Sequence, residues 1–143
     1  MRLVLDTDVV VAAMRSGRGA SRQLLLAALD RRVAILASVP LMLEYEAVLT
    51  RPAQLEAIGL TAPEVEAVLD ALAAVAEPVA LRFLWRPQLK DAGDEMVLET
   101  AVNGAADRIA TFNTRHLAEA AGVFGIRVAR PGPVWEEIQG SRR

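Results

Sequence analysis

The residues with chemical potential in this chain are carboxylates. Asp6 ends a short apolar run, Leu3-Val4-Leu5, and is followed by Thr7 and Asp8. Glu44 sits inside an apolar stripe: Leu41 lies three residues before it and Val48 four after, so the three share one face of a helix. Asp94 opens a similar face, with Val97, Leu98 and Ala101 three, four and seven residues on. Asp91, one turn earlier, converges toward the same point. Glu46 points elsewhere, and Glu95 is expected to face solvent.

A carboxylate on an apolar face is costly unless it is paired, protonated or bound to a cation. Structural roles compete at each position: Asp6 as the cap of a following helix, Glu44 as partner to an arginine, Asp94 as the acid of a helix N-terminus. Acids gathered from three separate elements repel one another unless one takes a proton or a cation lies between them. The chain has no cysteine and one histidine, so the donors are oxygens, which suits Mg²⁺ or Mn²⁺. Such ions activate water and stabilise charge on a phosphoryl group.

The elements that must position these acids alternate. Strands are expected at 3–5, 33–36, 78–83, 108–111 and 126–129, the third near an edge because it opens with Pro78. Helices are expected at 21–32, from Pro40 to Leu49, from Thr61 to Ala76, at 94–103 and at 133–139. Thr61-Ala62-Pro63-Glu64 has the residues of a capping box. This alternation predicts an α/β fold with a mostly parallel central sheet of about five strands covered on both faces. Ligands of such sheets collect beyond the carboxyl ends of the strands, where Asp6 lies.

With 143 residues and no linker or repeat, the chain reads as a single domain, 1–143. A hydrophobic fraction of 53% excludes a disordered chain, and the missing cysteines exclude a disulfide scaffold or zinc finger. The formal charge of −2 argues against nucleic-acid binding by bulk charge. All but one of the 16 basic residues are arginine. No export or membrane segment is evident, so a cytoplasmic location is expected.

Leu5-Asp6-Thr7-Asp8-Val9 resembles the first motif of the PIN-domain nucleases, in which asparagine commonly stands at the position of Asp8. Glu44 with Val48-Leu49 resembles the second acid of that family, Lys90-Asp91-Ala92-Gly93-Asp94-Glu95 the third acidic stretch, and 104–113 the strand that follows. The order and spacing are most similar to the toxin branch akin to VapC, over Met1 to about Val134. The resemblance implies a three-layer α/β/α domain and a Mg²⁺- or Mn²⁺-dependent endoribonuclease. It implies Asp6, Glu44 and Asp94 as catalytic metal ligands and Asp91 as a further catalytic acid. Thr7, Asp8, Thr111 and Asn113 are candidates for positioning water or substrate, and Arg15, Arg18 and Arg22 for holding the RNA backbone. Asn113 stands where many relatives place a fourth acid, which favours one firm metal site. A small antitoxin and a homodimer are the implied partners.

Two other readings compete. Asp8 and Asn113 also fit a PIN-fold module that has lost catalysis and binds a protein. Asp6-Thr7-Asp8-Val9 also fits the opening of haloacid dehalogenase-like phosphatases, although Glu44 then has no role. Trp85 and Trp135 read as core or interface residues, and His116 as a surface or cap residue.

Overall fold

Leu3, Val4 and Leu5 are all fully buried, and successive strand residues point to opposite faces, so both faces of β1 (Arg2–Leu5) are covered. The computed structural model describes residues 1–82 and 92–141. The expectations for Phe83, Trp85, Lys90 and Asp91 fall outside those residues.

The chain continues through α1 (Thr7–Arg15), α2 (Ala20–Leu29), β2 (Ala34–Ala37), α3 (Val39–Leu49), α4 (Pro52–Ile58), α5 (Ala62–Val75) and β3 (Glu77–Pro78). It then runs through α6 (Ala92–Asn103), β4 (Arg108–Ala110), α7 (Thr114–Gly122), β5 (Arg127–Ala129) and α8 (Pro131–Gly140). The strands form one parallel sheet in the order β3-β2-β1-β4-β5. From β1 the chain winds to one side through β2 and β3, then returns to the other through β4 and β5. The winding therefore reverses between β1 and β4, the place where an open parallel sheet leaves a crevice. Leu5 pairs with Ala110 there.

The expected α/β class and five parallel strands are observed, with β3 at the edge, but β3 is only Glu77–Pro78, and residues 79–82 of the strand expected at 78–83 lie outside it. Helices α1, α4 and α7 are additions to the elements read from sequence. The Thr61 capping box forms, its hydroxyl accepting from the Glu64 N–H while Glu64 accepts from the Thr61 N–H. The Glu64 carboxyl is held below the usual carboxylate range because it accepts from both the N–H and the hydroxyl of Thr61. Gly104 lets α6 press against β2 and the chain after β3: a Cβ there would come within 2.9 Å of Val79 Cγ2 and 3.0 Å of Leu36 Cδ1. No helix of the described residues is long and apolar enough to cross a membrane.

Candidate functional site

Four elements meet at the crevice between β1 and β4. Asp6 follows β1 and caps α1, the structural role weighed for it, and its side chain also lines the crevice. Its Oδ1 accepts from the Thr7 N–H at 2.7 Å and its Oδ2 from the Thr111 hydroxyl at 2.7 Å. Its backbone N–H extends the sheet to Ala110 O at 2.9 Å. Thr111 is fully buried after β4 and also accepts from the Asn113 N–H, so one hydroxyl ties two site residues together.

Asp8 lies in the first turn of α1, with Oδ2 accepting from the Phe112 N–H at 3.1 Å. Its Oδ1 is buried and has no hydrogen-bond partner among the described residues. Burial first, and the neighbouring charges of Asp6 and Asp94 after it, push the Asp8 carboxyl up to about 6. That shift registers three acids in electrostatic contact.

Glu44, half-buried on α3, and Asp94, in the first turn of α6, complete the set. Asp6, Thr7, Asp8, Glu44, Asp94 and Asn113 line one open cavity of about 370 Å³, walled also by Val11, Val48 and Gln54. Below it, the Tyr45 hydroxyl donates to Leu5 O and pins the end of β1. Burial and the charge of Asp6 raise the Tyr45 pKa, so it remains a donor.

Among the described residues no group of three or more acids and histidines closes around a point as a finished metal cage does. The chemistry of the donor set nevertheless fits a divalent cation. The donors are oxygens, one buried carboxylate oxygen lacks a described partner, and the acids repel.

Asp91 lies outside the described residues. Glu95 departs from expectation: it is 3% exposed, because it stands three residues before Leu98, beside the apolar stripe on the enclosed side of α6. Arg15 and Arg18 are exposed, and the Arg22 Nε donates to Ala13 O and Ser16 O, joining the end of α1 to α2. None of the three lines the acid cavity. Trp135 packs against the core with the Arg32 guanidinium 5.7 Å from its ring.

Two neighbours were not assigned from sequence. His116 is exposed, yet its Nδ1 lies 3.0 Å from Asn113 Nδ2 and 3.9 Å from Asp94 Oδ2. Its signal was the three-residue spacing from Asn113 on one helical turn. Gln54 places a buried Oε1, without a described partner, in the cavity wall. It rides on α4, which buries no residue fully and so carries no apolar stripe to announce it.

A family model described as PIN domain matches residues 2–115. No curated protein and no solved structure matches the chain.

Proposed function

We propose, from the premise that this chain belongs to the PIN-domain family, that its acid cavity is the active site of a metal-dependent endoribonuclease. The observation that carries the reading is the meeting of Asp6, Asp8, Glu44 and Asp94 at the crevice where the sheet reverses its winding. Asp6, Glu44 and Asp94 would hold one Mg²⁺ or Mn²⁺. A divalent ion supplies positive charge at the phosphoryl group and a more acidic attacking water.

The chain's own residues do the positioning. Thr111 and the Thr7 N–H hold both oxygens of Asp6, so its carboxylate keeps one orientation while charge builds at the phosphate. Tyr45 fixes the strand end that carries Asp6. Asp8, titrating near 6, takes up a proton readily and so reduces the negative charge a phosphodiester meets. Asn113, turned toward His116, offers an amide for water or a phosphate oxygen. Val11 and Val48 keep the cavity wall apolar, which strengthens the electrostatic interactions beside it.

The resemblance to the VapC branch supports a finer reading: the toxin of a toxin–antitoxin pair, acting as a homodimer in the cytoplasm and silenced by a small antitoxin over the groove. The phosphatase alternative leaves Glu44 idle in the cavity it lines. Incubation of RNA with purified protein and Mn²⁺ or Mg²⁺ tests the proposal, with EDTA and Asp94→Asn as controls. Cleavage that needs both the ion and Asp94 is the expected result. Cleavage that survives the folded Asp94→Asn variant overturns it.

A further inference from the structure

A second cavity, of about 380 Å³, opens beyond the acids, toward the C-terminal end of α1. Its lining includes Ser16, Gly19, Ser21, Phe112, Arg130 and Gly132, and it carries one cation and no carboxylate. Two helices start at its wall. Neither α2 nor α8, each 10 residues long, has a side-chain cap. The first N–H groups of α2 thus remain for a ligand, and α8 adds that of Gly132 between Pro131 and Pro133, which have none.

An independent observation points to a ligand. Ser21 is 5% exposed and lines the cavity, and its hydroxyl makes no hydrogen bond among the described residues. With no protein partner taking it up, that hydroxyl is free to donate to a polar ligand that enters the cavity. Above it, the Arg130 guanidinium lies 5.0 Å from the centroid of the Phe112 ring, which is 38% exposed. Helix N-terminal N–H groups, a hydroxyl donor, a guanidinium and an aromatic face are together suited to a nucleotide, with its phosphate on the donors and its base on the ring.

The position relates this cavity to the acids. Ala12 and Ser16 follow Asp8 by four and eight residues, about 6 and 12 Å along α1. Phe112 belongs to both sides, since its N–H is bound to Asp8 while its ring faces Arg130. We infer that this cavity anchors a phosphate of the RNA strand next to the scissile one, with Arg130 and Ser21 as its donors and Phe112 stacking on a base. The inference rests on the ribonuclease reading. It gives the acid groove, which repels an approaching backbone, a hold on substrate that needs no metal ion.

The test is binding of a labelled single-stranded RNA to the full chain in EDTA at low salt, followed by fluorescence anisotropy. Arg130→Gln removes the charge. Gly132→Asp places a carboxylate in the cavity, where a Cβ meets nothing within 4 Å, at a helix start that favours an acid. Each is expected to weaken binding roughly tenfold or more, the equivalent of a lost charged hydrogen bond. Arg127→Gln removes the same charge from an exposed position outside both cavities and is expected to bind like the parent chain.

Parent-level binding by both cavity variants overturns the inference and leaves the ribonuclease reading standing. Equal weakening by Arg127→Gln overturns it too, because bulk charge then accounts for the loss. Metal-dependent cleavage by a parent chain that binds no RNA in EDTA has the same consequence. A parent chain that neither binds nor cleaves any RNA removes the ribonuclease reading and the inference together.

Discussion

At the start of β1 the Arg2 guanidinium donates to Glu77 at 2.7 Å and to Gly104 O at 2.6 Å, while the Arg2 N–H bonds the Asp107 carboxylate. Four residues later, at the end of the same strand, Asp6, Asp8 and Asp94 stand in mutual repulsion. One end of the sheet answers its charges with partners. The other concentrates like charges where the winding reverses, and does so with buried or half-buried groups. A larger cavity, about 530 Å³, opens at the first end beside Arg2 and Glu77, so size does not mark the chemistry. The contrast teaches that the end gathering like charges is built for a ligand, and the end pairing opposite charges for stability.

Variants at the two ends should separate these roles. The largest effect is expected from Asp6→Asn. Steady-state RNA cleavage should fall roughly 10²–10⁴-fold, equivalent to several kcal/mol of charge stabilisation. Its melting temperature in EDTA should hold or rise, since one repelling charge is gone. A stability loss that accounts for the whole activity loss would instead make Asp6 a structural cap.

Gly104→Ala addresses the compensated end. Its new Cβ would meet Val79 Cγ2, Leu36 Cδ1 and Thr100 O at 2.9–3.0 Å. Urea unfolding should show a loss of about 1–3 kcal/mol, with cleavage per folded molecule unchanged.

The third prediction concerns pH. Asp8 titrates near 6 in the folded chain against 3.8 for a free aspartate. Between those values the folded state holds a proton that the unfolded state has released, so stability falls as pH rises from about 4 to 6 and stays lower above. Roughly 1–2 kcal/mol is expected after screening at this half-buried position. Asp8→Asn should flatten that part of the pH profile in EDTA and raise stability at pH 7, with cleavage retained.

The smallest effect belongs to Glu77→Gln. It breaks a solvent-exposed ion pair and should cost less than about 1 kcal/mol by the same urea assay. Equal costs for Glu77→Gln and Gly104→Ala would show that Val79 and Leu36 yield to a methyl group at Gly104.

The sheet was legible in the sequence because buried parallel strands leave runs such as Leu3-Val4-Leu5 and Ile109-Ala110, and the acids stood out against apolar stripes. What escaped has physical causes. Helix α1 contains Val9-Val10-Val11, a β-branched run with poor helix propensity; the Asp6 cap and packing against α2 and α3 override it. Helix α4 buries nothing fully, and α7 buries only Leu117 and Ala121, too few for a periodic stripe. Within α6, Glu95 and Glu99 are buried beside Val97 and Leu98, so apolar residues alone do not outline its enclosed faces. Asp94 was readable because it begins the stripe, whereas Gln54 and His116 became site neighbours only through the packing of α4 and α7.

The most direct test of the central claim is calorimetric titration of Mn²⁺ into the metal-free chain, alongside Asp94→Asn. The account predicts one saturable site in the parent chain, lost or weakened by at least about tenfold in the variant. An absence of Mn²⁺ binding, or equal binding by a folded Asp94→Asn chain, would contradict it.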